Sequence, residues 1–475
     1  MSNKMTDRRS EPDRDSETEN EALDDRAQRF SPLVASLMAC NGMMVLNASM
    51  VTTSLPSIRD SLELEIGLVA WLSTAYYLPY IVAMSLYGRL GDGLRRRRLL
   101  MVGIVLFLLG SFVNLVPGGL GLLLLGRAVQ GMGAAAVLPL SIALISDSFP
   151  EAERGRMMGT WTSIGPMSYV IGPLVAGLLI EASSWRVIFA PVMAVAVAAF
   201  AAVRRWVPAK QRYAPSDFFA SFDWKGAALL SVAMATLVSF VYSEQITGVK
   251  TLRDWRLLGA SPILFGALVL WEKRHADPFI APELFRQKTF NRASLCGALR
   301  MFVLSATFFV MPLYLADIRG MRPALIGLVL PLSSVAQAMT TRVGGLWADR
   351  RHSREPVLAG LTGQLGVMVY FALLPADAPV GSVILGLLVC GFAAGLSLAP
   401  MHRTAMSEID AGRTGMAAGV YSMLRFAGIA FGSAVNGVLV GEALDAGFAP
   451  AGAYQIVFWT NAGVALLASL VGLTL

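Results

Sequence analysis

Apolar runs of about 20 residues recur along almost the whole chain, separated by short polar segments. Each run is long enough to cross about 30 Å of hydrocarbon as a helix. A membrane β-barrel would instead show alternation over about ten residues. The pattern predicts fourteen helices, at 32–56, 67–90, 98–116, 119–145, 155–181, 186–206, 223–243, 255–272, 291–315, 323–347, 356–375, 378–402, 412–440 and 454–474. Residues 1–30 are polar and charged without an apolar stretch, and read as a disordered tail rather than a signal peptide.

Composition agrees. Of 475 residues, 55% are hydrophobic and 15% are charged, against about 25% charged in a soluble protein. The fold class is therefore an all-α polytopic membrane protein in a lipid bilayer. The net charge of +7 does not indicate nucleic acid, because the basic residues fall in alternate loops. These hold Arg95 to Arg98, Arg154 and Arg156, Arg204 to Arg212, Lys273 to Arg292, Arg350 to Arg354, and Arg403 with Arg413. The positive-inside rule places those loops, and with an even helix count both termini, in the cytoplasm. Cys40, Cys296 and Cys390 lie far apart in apolar segments without metal-ligand spacing.

The polar segments divide the chain into a tail (1–30), a six-helix lobe (31–206), a linker with two extra helices (207–290) and a second six-helix lobe (291–475). The lobes echo each other. The second helix of the first ends Gly88-Arg89-Leu90-Gly91-Asp92-Gly93-Leu94-Arg95-Arg96-Arg97, and that of the second ends Gly345-Leu346-Trp347-Ala348-Asp349-Arg350-Arg351. Such a repeat implies two lobes related about the membrane normal, with a midplane site between them.

These helix-end motifs resemble those of the major facilitator superfamily. Arg127-Ala128-Val129-Gln130-Gly131-Met132-Gly133-Ala134 resembles its R-x-x-Q-G-x-G-A motif. Gly165-Pro166, then Gly172-Pro173-Leu174-Val175-Ala176-Gly177, resemble the G-P-x-x-G-G motif associated with antiporters. Asp223-Trp224-Lys225-Gly226 and Arg413-Thr414-Gly415-Met416-Ala417-Ala418-Gly419 look like the 14-helix drug:proton antiporter branch. The resemblance covers residues 31–475. It implies a gate built on Asp92, Arg96, Arg97, Asp349 and Arg350, where an ordinary interfacial ion pair is the other reading, and bending of the fifth helix at Gly165, Pro166, Gly172, Pro173 and Gly177, where close packing is the other reading. It also implies a coupling or substrate role for Arg127, and protons and a periplasmic adaptor protein as partners. The first gate motif departs from the pattern, with Gly93 replacing a basic residue and Arg95 a glycine.

Arg127, Arg300, Arg342 and Arg425 fall within helices. A charge at the bilayer centre costs about 2.5–3.5 kcal/mol on insertion scales, so a functional role competes with bonding to backbone carbonyls or Gln130, or with snorkelling. No carboxylate is expected at mid-membrane depth. Where the 14-helix exporters resemble L-D-x-T-I-V-N-V-A-L-P, the first helix reads Leu46-Asn47-Ala48-Ser49-Met50-Val51-Thr52-Thr53-Ser54-Leu55-Pro56. Asn47 cannot titrate, although it can hydrogen-bond a substrate or a neighbouring helix. Of the other acids, Glu181, Glu244, Glu408, Asp410 and Asp147 lie near helix ends or in a loop, and Glu244 is the candidate proton site.

Arginines without acids favour an anionic or neutral amphiphile over a lipophilic cation. Trp71, Tyr76, Tyr77, Met167, Tyr169, Phe308, Tyr421 and Met423 are candidate pocket residues, each equally readable as packing. The expected function is proton-coupled export of amphiphilic small molecules from the bacterial inner membrane. An importer or lipid-like-substrate carrier is the alternative, and a transport-inactive sensor or assembly partner is a further one. No nucleophile–base set, metal cluster or phosphate loop suggests an enzyme, and no cofactor is implied.

Overall fold

The computed structural model describes residues 14–116, 118–209, 223–241, 243, 254–275, 282–409 and 414–475. Hydrophobic helices dominate, because a chain in lipid must satisfy its backbone polar groups within each segment. They are numbered in chain order: α1 Arg14–Ser61, α2 Ile66–Gly93, α3 Arg96–Leu115, α4 Leu120–Ser148, α5 Glu153–Ala182, α6 Trp185–Trp206 and α7 Trp224–Val241. Then follow α8 Trp255–Glu272, α9 Lys288–Asp317, α10 Pro323–Arg350, α11 Arg354–Leu373, α12 Val380–Met406, α13 Thr414–Asp445 and α14 Pro450–Gly472.

Two features add detail to the expected pattern. Thirteen helices among the described residues are long and apolar enough to cross a membrane. The fourteenth, α8, forms where expected but is not among them. Arg256 and Glu272 near its ends reduce its apolar length. Residues 14–30, within the segment expected as a tail, continue α1 toward the N-terminus. Glu and Arg make up six of these 17 residues and favour helix.

The packing repeats with an offset of eight helices. Contacts α1–α5, α1–α6, α2–α4, α3–α4 and α3–α6 recur as α9–α13, α9–α14, α10–α12, α11–α12 and α11–α14. Between the two sets, α2 packs on α13, α5 on α10, and α1 on α9. Helices α7 and α8 pair with each other, and α7 also touches α2 and α13.

The α5–α10 crossing is a near backbone contact. A Cβ at Gly177 would lie 2.5 Å from the Pro323 carbonyl oxygen, and one at Gly327 would lie 2.3 Å from that of Pro173. Only glycine permits this approach. The two sets are also tied at the end away from Arg95 to Arg98. Arg59 donates through both terminal nitrogens to Asp317, each at 2.6 Å, and the Tyr454 hydroxyl donates to the same carboxylate at 2.5 Å. Arg322 lies 3.9 Å from Glu181 at the same end.

Candidate functional site

The centre of the first helix set is a buried polar cluster. Its position follows from Gly131 in α4, where a Cβ would lie 2.1 Å from the Tyr76 carbonyl oxygen. Helix α4 thus presses on α2 and sets Arg127 and Gln130 beside Tyr76. Arg127 is 3% exposed, and Asn47 and Gln130 are fully buried. Arg127 donates to the Leu72 carbonyl (3.2 Å) and to Gln130 Oε1 (2.9 Å), and its guanidinium carbon sits 4.3 Å from the Tyr76 ring centroid. Asn114 also donates to Gln130 Oε1, at 3.1 Å. The Gln130 amide nitrogen donates to Ser111 Oγ at 2.7 Å and to Asn47 Oδ1 at 3.3 Å.

Guanidinium only donates, which fixes every amide in this chain. Gln130 must turn its oxygen to Arg127 and its nitrogen to Asn47, so Asn47 turns its oxygen inward. The Asn47 amide nitrogen and the Tyr76 and Tyr80 hydroxyls then have no hydrogen-bond partner among the described residues. A buried polar group in that state costs roughly 1–3 kcal/mol.

The second set holds Arg300, which is 1% exposed. It donates to Ser397 Oγ at 2.9 Å and to the Ala394 carbonyl at 2.6 Å. The Arg425 guanidinium carbon lies 5.6 Å from the Tyr421 ring centroid, and a Cβ at Gly297 would touch its alkyl chain at 3.2 Å. The buried carboxylates among the described residues, Asp223, Asp254 and Glu272, all lie at or beside the ends of α7 and α8, away from the arginines.

Aromatic rings from both sets meet between these centres. Tyr77 stacks on Phe426 at 6.2 Å, and Tyr80 meets Phe426 edge-on at 4.9 Å. Tyr169 stacks on Phe308 at 5.4 Å. Tyr76, Tyr77, Tyr169 and Phe308 were expected as pocket residues, while Met167 is exposed. Ser85 donates to the sulfur of Met423 at 3.2 Å.

The remaining expected residues are dispersed. The backbone of Asp92 ends α2, and its side chain lies outside the described residues, as does Glu244. Arg96 donates to the Gly91 carbonyl (3.0 Å), the Ala143 carbonyl (2.9 Å) and Asp147 (2.6 Å). Arg97 donates to the Arg204 carbonyl. Asp349 accepts from Arg403 of α12 rather than from the adjacent Arg350, because consecutive helical residues do not face each other. The Gly-Pro elements also separate. Gly172, Pro173 and Gly177 make contacts, with a Cβ at Gly172 only 1.9 Å from Ser49 Oγ, while Gly165 faces open space and Pro166 is exposed. Glu408 accepts from Thr289 at 2.8 Å, and Asp410 lies outside the described residues.

The sequence reading passed over Ser111, Asn114, Tyr80 and Phe426. It also missed the Asn461–Asn436–Ser305 chain, in which Asn461 donates to Asn436 at 2.8 Å and Asn436 to Ser305 at 2.9 Å. Asparagines deep in apolar helices were the available signal, since polar residues there need partners. Arg59 and Asp317 gave no such signal, because both lie near helix ends.

The family model described as Major Facilitator Superfamily matches residues 37–433 and 293–475. The chain is 30% identical over 410 residues to the multidrug resistance protein Stp of Mycobacterium tuberculosis, covering 86% of this chain and 75% of the relative. It is 24% identical over 405 residues to the riboflavin transporter RibZ of Clostridioides difficile, covering 84% and 86%. Among solved structures, the peptide transporter POT superposes with a TM-score of 0.69 at 15% identity, covering 93% of each chain. The protein belongs to the Major Facilitator Superfamily, and it is an integral membrane transporter.

Proposed function

We propose that this transporter exports amphiphilic small molecules, anionic or neutral ones in preference to cations, by alternating access driven by the proton gradient. The carrying observation is the composition of its centre. Arg127 and Arg300 bring buried positive charge into the two helix sets, Arg425 adds a third guanidinium beside Tyr421, and the buried acids among the described residues lie at the ends of α7 and α8. A site rich in donors recognises acceptors and negative charge. The named multidrug resistance relative supports export.

Rocking of one lobe (31–206) against the other (291–475) about the α2–α13 and α5–α10 crossings supplies the two access states. The basic loops, and with them both termini, face the cytoplasm of a bacterial inner membrane. The Arg59–Asp317 pair then lies on the outer face, and the conformation described is closed there. Asp92, Arg96, Arg97, Asp349 and Arg350 serve the inner gate, and an adaptor protein docks outside the membrane. Asn47 carries no proton, so coupling uses another acid, with Glu244 as the candidate.

Proteoliposomes with an imposed pH gradient and a trapped pH dye provide the test. Movement of protons only when an amphiphilic acid is supplied is the expected result. Transport without proton movement would remove the coupling claim. Cells lacking the gene should become more susceptible to the same compounds, and lower accumulation in those cells would reverse the direction. The relative named a riboflavin transporter supports a second reading, a carrier for a planar nutrient-like molecule. Uptake of labelled riboflavin by the same proteoliposomes decides it.

A further inference from the structure

We propose that Asn47, Tyr76, Tyr80 and Arg127 form a subsite for a monovalent anion, either the acidic head of an aromatic substrate or a free halide. Three observations converge on it. The Asn47 amide nitrogen and the Tyr76 and Tyr80 hydroxyls are buried donors with no hydrogen-bond partner among the described residues. They are neighbours: Tyr76 and Tyr80 stack with ring centroids 6.0 Å apart, the Arg127 guanidinium lies over the Tyr76 ring, and Gln130 bonds both Arg127 and Asn47. The guanidinium beside them is held by a carbonyl, an amide oxygen and a ring face, none of which neutralises its charge.

Asn47 decides the sign of the site. An aspartate there would itself be the negative partner of this cluster. The asparagine instead has its oxygen engaged by Gln130 and leaves its N–H groups as donors. Charge-assisted hydrogen bonds to an anion satisfy hydroxyl, amide and guanidinium donors together. The apolar body of the ligand has a matching wall, because Tyr77, Tyr80 and Phe426 form an aromatic seam next to the same donors. Rings of this kind take planar aromatic groups by offset stacking. The ligand class is therefore an aromatic carboxylate or phenolate, with a halide as the smallest occupant.

This subsite belongs to the transport cycle proposed above, but its binding chemistry is measurable without transport. The experiment is calorimetric titration of the purified full-length protein in lipid nanodiscs with 2-naphthoate, with the neutral 2-naphthamide, and with sodium chloride. Naphthoate is expected to bind at least about tenfold tighter than the amide, and Asn47→Asp and Tyr76→Phe each to weaken it by about tenfold or more. Unliganded melting temperatures check folding. Tyr76→Phe removes only a hydroxyl, so it carries the test if the aspartate variant misfolds. Competition by chloride assigns the site to a free anion, and its absence assigns it to the acidic head of an organic ligand. Equal binding of acid and amide, or wild-type naphthoate affinity in both variants, overturns the proposal. Absence of naphthoate and chloride binding altogether does so too. Intact binding with no efflux from cells would sink the export reading and leave the subsite standing.

Discussion

Gln130 bonds to Asn47, Ser111, Asn114 and Arg127, and so joins α1, α3 and α4 at one buried point. Replacement by leucine would keep the volume and strip acceptors from two donors. Gln130→Leu is expected to lower stability by roughly 2–4 kcal/mol, since an orphaned buried polar group costs roughly 1–3 kcal/mol and a charged one more. Thermal unfolding in detergent measures this, and an unchanged midpoint would mean that water fills the gap. At Asn47, the aspartate variant is expected to redirect selectivity. Cells expressing Asn47→Asp should gain resistance to lipophilic cations and lose it to amphiphilic acids, by roughly tenfold for about 1.4 kcal/mol of altered binding. An identical susceptibility spectrum in the two strains would show that this residue does not face the substrate.

Helix positions were legible in the sequence because lipid imposes a long apolar run on every span. Only α8 was marginal, since Arg256 and Glu272 sit near its ends. Arg127, Gln130 and Asn47 were legible one by one, but their joining was not. It depends on the approach at Gly131, and a glycine does not announce which helix it will meet. The pairing of Arg59 with Asp317 was hidden for a different reason, as 258 positions separate them. At this scale, the α5–α10 crossing makes the sharpest demand. Gly177→Val would drive a side chain into the Pro323 backbone, and Gly327→Leu into Pro173. Both variants are expected to insert normally yet lose most transport, because the two helices can no longer seat. Cysteine cross-linking between neighbouring positions of α5 and α10 checks the cause. Wild-type cross-linking with lost transport would place the defect elsewhere.

For the whole molecule, the offset of eight helices makes the two lateral crossings, α2–α13 and α5–α10, counterparts of each other. The Arg59–Asp317–Tyr454 contact then closes one end of the seam between them. Breaking it should shift the population toward opening at that end. Asp317→Ala is expected to raise the labelling rate of a cysteine placed on the seam near Glu181 about fivefold or more, for a lost charge-assisted pair of roughly 1–3 kcal/mol. Exchange of the two residues, Arg59→Asp with Asp317→Arg, should restore slow labelling. Fast labelling in the exchange variant would show that position, not charge pairing, holds the contact.

The counterpart crossings are not equally dressed. Helix α7 lies against α2 and α13 together, and α8 backs it. A molecule already dissolved in the bilayer and drifting in its plane therefore meets a shuttered flank on that side. On the opposite flank it meets the glycine–proline join of α5 and α10. The paired extra helices thus cover one crossing from the lipid side and leave the other sealed by backbone contact alone, so the two flanks of the transporter are unlike in what lipid touches.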